Sequence, residues 1–109
     1  MGFNIKQRYV SFDVETTGLY PQRGDRIIEI GAVAIEDGTV TEEFHSFLNT
    51  GKPIPLAAQK IHGIRVEMLT GKPGPEEVMP RFIAFISNSV LIAHNAKFDM
   101  TGCSPRARG

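Results

Sequence analysis

From Tyr9 onward, apolar and polar residues alternate, and a period of two predicts a strand. Val10, Phe12 and Val14 fall on one face; Ser11, Asp13 and Glu15 fall on the other. The run ends in Thr16-Thr17-Gly18-Leu19, and Tyr20–Asp25 follows as a polar loop rich in turn formers. Arg26–Glu36 predicts a second, Ile- and Val-rich strand, with Gly31, Ala32 and Ala34 small enough for another element to approach closely. Asp37-Gly38 suits a two-residue type I′ hairpin, which needs positive φ at both positions. Thr39–Leu48 returns as a third strand, with Val40, Phe44 and Leu48 on one face and Thr41, Glu43 and His45 on the other. These three strands read as an antiparallel meander.

The period then changes. Beyond the Gly/Pro loop Asn49–Pro55, Leu56–Ile61 predicts a short helix stopped by Gly63, and Val66–Leu69 a further helical turn. A longer helix is expected from Pro75 to Ser87, with Val78, Phe82, Phe85 and Ile86 as its apolar stripe. Pro75 suits the first helical position, and Glu76 and Glu77 complement the positive helix end. Pro80 should kink the first turns or delay regular helix until itself. After the turn Ser87-Asn88-Ser89, the apolar run Val90–Ala93 predicts a short buried strand. A strand–helix–strand unit of this kind closes a parallel pair.

Composition narrows the class. The chain's 109 residues suffice for one small domain, and 41% hydrophobic with 22% charged residues is ordinary for a globular protein. Formal net charge is zero, so any nucleic-acid binding has to come from a local site. The single cysteine, Cys103, excludes an internal disulfide and a cysteine-based zinc site. No apolar run approaches the ~20 residues of a membrane span, and the N-terminus has no apolar signal core. A soluble, cytoplasmic protein with no membrane partner is expected.

Asp13 and Glu15 share a strand face beside a core. Two like charges so placed repel each other and lose hydration. A divalent cation with oxygen ligands offsets that; the bland alternative is an edge strand with two solvated acids. A second acidic motif follows the Val90–Ala93 run, His94-Asn95-Ala96-Lys97-Phe98-Asp99. Asn95 suits an N-cap, and Asp99 in a first helical turn also complements the helix dipole. If the two apolar strands are neighbours, Asp13, Glu15 and Asp99 converge.

Phe12-Asp13-Val14-Glu15-Thr16-Thr17-Gly18-Leu19 and His94–Asp99 resemble the first and second motifs of the DEDD-type 3′–5′ exonucleases. The branch in question includes the proofreading epsilon subunit of bacterial DNA polymerase III. Ile61-His62-Gly63-Ile64 also resembles a segment of that branch, and the match spans residues 8–100. The resemblance implies an α/β, ribonuclease H-like mixed sheet, with Tyr9–Glu15 central and a parallel Val90–Ala93 strand on its free side. It implies hydrolysis of phosphodiester bonds at a 3′ end with two Mg²⁺ or Mn²⁺ ions. Asp13 would bridge both metals, Glu15 would hold the nucleophile-side metal, and Asp99 the second. Thr16, Thr17, Gly18 and Leu19 would approach the terminal nucleotide, with His62 bordering that pocket. The expected partners are a single-stranded 3′ end of DNA or RNA, with polymerase subunits, in replication or repair.

The family's third motif, a histidine followed by an aspartate, does not occur after Asp99. Residues 101–109 break any helix at Gly102 and Ser104-Pro105. Residues 1–100 therefore read as the N-terminal part of an exonuclease domain, and 101–109 as an aberrant or disordered tail. On that reading the sheet is incomplete at its C-terminal side, and an uncovered apolar face favours self-association. Loss of a general base removes about 10²–10⁴-fold of rate, so the chain alone is expected to be inactive. The competing readings are a non-catalytic nucleic-acid-binding or protein-interaction module on the same scaffold, and a phosphatase with a strand-end aspartate nucleophile.

Overall fold

The computed structural model describes residues 7–94. Its elements in chain order are β1 (Arg8–Thr16), a 3₁₀ turn (Pro21–Arg23), β2 (Ile27–Glu36), β3 (Thr39–Phe47), α1 (Leu56–His62), α2 (Val66–Leu69), α3 (Pro75–Ile86) and β4 (Ser89–Ala93). The strands form one sheet in the order β3-β2-β1-β4. β1 runs antiparallel to β2 and parallel to β4, with Phe12 opposite Ala32 on one side and Ala93 on the other. The expected meander and parallel addition are both present.

The period-two pattern of β1 becomes a burial pattern. Val10, Phe12 and Val14 are buried, and so are Ile30, Ala32 and Ala34 beside them. α3 covers this face through Val78, Met79 and Phe82, with Phe85 and Ile86 packed at its edge. The Phe82 ring meets Phe12 edge-on, with centroids 5.6 Å apart. Ile28, Ile54, Ile64 and Leu69 form a second cluster under α1 and α2, and Phe47 packs against it. Asp37 and Gly38 both adopt positive φ, 55° and 74°, as a type I′ hairpin requires.

Three expectations need correction. Val40 does not share a face with Phe44 and Leu48: Thr41 is an extra residue in β3, so Ala34 pairs with Glu42 while Ile35 pairs with Val40. A bulge of this kind reverses the facing of residues beyond it, and Val40 is exposed whereas Leu48 is buried. Pro80 does not delay the helix, since α3 is continuous from Pro75. Its missing N–H leaves only the Glu76 carbonyl without a donor, and both residues lie on the exposed side, where water can reach it. The Val90–Ala93 strand is not buried. β4 is an edge strand among the described residues, and Val90, Leu91 and Ile92 are each exposed.

Candidate active site

Asp13 and Glu15 project from the end of β1 on the sheet face away from α3. Across the strand, Asp13 stands opposite Gly31 and Glu15 opposite Glu29. These four residues line an open cleft of about 180 Å³. A Cβ added at Gly31 would meet nothing within 4 Å; any side chain there would stand in the cleft. Burial pushes the Glu15 carboxyl pKa up, and Asp13 and Glu29 push the same way; only a cationic His62 would oppose them. The Asp13 carboxylate accepts a hydrogen bond from the Val14 amide at 2.9 Å.

Concentrated negative charge of this kind is relieved by a cation. Hard carboxylate donors over an unfilled floor suit Mg²⁺ or Mn²⁺. Among the described residues, no three His, Cys, Asp or Glu side chains converge on one ion. Asp99, the third acid expected here, lies outside the described residues, as do Asn95 and the 101–109 tail.

The threonines that follow Glu15 turn inward. Thr16 Oγ1 donates to the Gly18 carbonyl at 2.7 Å. Thr17 Oγ1 donates to Asp25 Oδ1 at 3.2 Å and accepts from the Arg26 amide at 2.9 Å. Both residues are buried, so their side chains build the turn. Asp25 closes it, its Oδ2 accepting from the Tyr20 amide at 3.0 Å. The carboxylate occupies the space beside Gly18, where a Cβ would lie 2.3 Å from Oδ2. Leu19, 44% exposed, is left pointing to solvent.

His62 ends α1, which Gly63 caps at a φ of 72°. Its Nδ1 accepts from the Ile64 amide at 3.0 Å, so Nε2 carries the proton and donates to the Thr16 carbonyl at 3.2 Å. The ring thus ties α1 to the strand end beside Glu15. His94 extends the parallel ladder, its amide donating to the Phe12 carbonyl at 3.0 Å. Its ring is hydrogen-bonded to Ser11.

Sequence reasoning missed Glu29 and gave its partner His45 no role beyond a place on the outer face of the third strand. His45 Nε2 donates to Glu29 Oε2 at 2.6 Å. The one available signal was a single charge inside the run Ile27-Ile28-Glu29-Ile30, where Glu29 faces away from Ile30. Nothing in the sequence sets the pairing of β2 with β1 across the loop that joins them.

A mixed sheet of this order, with α3 on one face and carboxylates at the end of its central strand on the other, is the ribonuclease H-like fold of nucleases. The family model described as Exonuclease, of the RNase T group, matches residues 10–104, and the chain belongs to that family. It is 48% identical over 91 residues to DNA polymerase III PolC-type of Thermotoga petrophila, covering 84% of this chain and 7% of that protein. It is 46% identical over 94 residues to the DNA polymerase III subunit epsilon of Rickettsia typhi, covering 85% of this chain and 41% of that protein. Among solved structures it is similar to exonuclease X in complex with 5′ overhanging duplex DNA. That likeness has a TM-score of 0.67 and 31% identity, and covers 84% of this chain and 51% of the other. The chain thus spans from less than a tenth to about half the length of these relatives.

Proposed function

We propose that the chain carries a metal-dependent 3′–5′ exonuclease site acting on a single-stranded 3′ end of DNA or RNA. The observation that carries it is the pairing of Asp13 and Glu15 on one open strand face, beside Glu29 and above the bare floor at Gly31. Asp13 and Glu15, with Asp99 from the second motif, would hold two Mg²⁺ or Mn²⁺ ions. Such ions supply activation of a water and charge stabilisation at the leaving oxygen. The protein's own share is to hold the two carboxylates on a rigid central strand. The Thr16–Gly18 turn, sealed by Asp25, presents Leu19 for apolar contact with the terminal nucleotide. His62 supports that strand end through the Thr16 carbonyl and borders the same pocket.

No helix among the described residues is long and apolar enough to cross a membrane. The proposed setting is the cytoplasm, with polymerase subunits as partners in replication or repair; similarity to proteins named as DNA polymerase III supports it. Tyr9, Val90 and Ile92, on the acidic face's other half, offer a surface for self-association, measurable by sedimentation velocity.

Calorimetric titration of the purified chain with Mn²⁺ tests the reading. Binding that Asp13→Ala removes supports it. Absence of binding, or binding that Asp13→Ala leaves unchanged, refutes it. Incubation with a 5′-labelled single strand then asks whether the chain by itself shortens a 3′ end when Mn²⁺ is present.

A further inference from the structure

Glu29 lies on the β2 wall of the acidic cleft and belongs to neither acidic motif. Its Oε2 accepts from His45 Nε2 at 2.6 Å, and no other described residue bonds its second oxygen. His45 is itself restrained. It stands on β3 opposite Gly31, its ring edge-on to Phe47 with centroids 5.2 Å apart. Phe47 packs on the Ile28, Ile54, Ile64 and Leu69 cluster, and Lys72 Nζ lies 5.8 Å from its ring centroid. The cleft wall is therefore braced from three adjacent strands: carboxylates on β1, Glu29 on β2, and the imidazole that holds it on β3.

Glu29 lines the cleft with Asp13 and Glu15, yet the three do not form a group able to hold one ion directly. This separates it from the two motif acids and suits a different task. A small divalent cation held by one or two carboxylates keeps several of its waters. Those waters are donors, and partners in the outer shell fix their orientation and strengthen binding. A free, anionic oxygen on a side chain whose other oxygen is already anchored is well suited to accept from such a water.

We infer that Glu29, oriented by His45, accepts hydrogen bonds from water carried by the cation at Asp13 and Glu15, and that His45 is a positioning residue. The inference rests on the cation site proposed above. The Glu29→Gln change keeps the shape and replaces one acceptor oxygen by a donor. His45→Ala removes the anchor. His45→Gln restores a side-chain N–H of similar reach.

Mn²⁺ affinity of the full chain, measured by calorimetry and by the paramagnetic resonance signal of free Mn²⁺, reads the effect without requiring turnover. Glu29→Gln and His45→Ala are each expected to weaken binding by about tenfold or more, the lower end of what outer partners of a metal contribute. His45→Gln should recover most of what His45→Ala loses, which a merely structural role would not produce. Because His45 is exposed, all three variants should melt within a few degrees of the unsubstituted chain. An affinity in Glu29→Gln within about twofold of the original, while Asp13→Ala abolishes binding, overturns the inference and leaves the site standing. No recovery in His45→Gln overturns the part assigned to His45. If the unsubstituted chain binds no Mn²⁺, or Asp13→Ala binds it equally well, the site itself falls and the inference falls with it.

Discussion

Gly18 offers the sharpest test of how the turn behind the acidic pair is built. It lies outside the left-handed region, so backbone freedom is not what requires glycine there. What requires it is space: a Cβ would lie 2.3 Å from Asp25 Oδ2 and 2.5 Å from its Cγ. Gly18→Ala therefore expels the carboxylate, which loses the Thr17 hydroxyl at 3.2 Å and the Tyr20 amide at 3.0 Å. Hydrogen bonds to charged groups net about 1.5–3 kcal/mol each, and less where water can replace them, as on this half-exposed loop. A total of about 2 kcal/mol follows. For a domain of this size, about 1 kcal/mol lowers Tm by roughly 4–8 °C, so the variant should melt about 8–16 °C below the unsubstituted chain. Urea unfolding of Gly18→Ala, Asp25→Ala and the double variant closes a cycle. With the Asp25 carboxylate removed, the alanine methyl has room, and its added cost should shrink to within about 0.5 kcal/mol. An equal cost of Gly18→Ala in both backgrounds would refute the steric account.

Other outcomes follow from the same geometry. Phe82→Ala removes a buried ring that meets both Phe12 and Phe44 with centroids 5.6 Å apart, and should cost about 3–5 kcal/mol in urea unfolding. Glu15, whose pKa is raised in the folded state by burial and then by Asp13, penalises the fold when ionised. In metal-free buffer that penalty is relieved as pH falls through the folded-state pKa, and is gone below the ordinary value of 4.5. Glu15→Gln should therefore be more stable than the parent at neutral pH and equal to it below 4.5, by thermal melts across that window. Added Mn²⁺ should reverse the order at neutral pH by stabilising only the parent. Gly31→Thr puts a better strand former where nothing lies within 4 Å; stability should hold or rise while Mn²⁺ affinity falls, and unchanged affinity would mean the cleft floor is not used.

Much of the site was legible because it rests on local rules. A period of two placed Asp13 and Glu15 on one face without knowledge of the fold, since a strand alternates whatever it pairs with. Asp37-Gly38 and Gly63 marked a hairpin and a helix end because positive φ there is a property of the residue itself. The reading failed where one inserted residue changed a register. An unbroken two-residue hairpin would set His45 opposite Ile30, on the buried face. The bulge at Thr41 sets it opposite Gly31, on the face of Asp13. The same insertion carries Val40 away from the core and Phe44 onto it. Thr41 gives no local sign of this, although its hydroxyl bonds Glu36 at 3.0 Å once the bulge exists.

The sequence by itself determined the strands, the order of helices, the α/β class and the two motif carboxylates on β1. Each depends on neighbours in the chain and on alternation between core and solvent. Tertiary structure alone decided the register that sets Glu29 across from Glu15, that Asp25 folds back against Gly18, and that His45 reaches Glu29. Those contacts join residues whose pairing depends on two bulges, one at Ile28 and one at Thr41. A one-residue shift turns every following side chain to the opposite face, and nothing in the alternation of a single strand records where its neighbour has slipped.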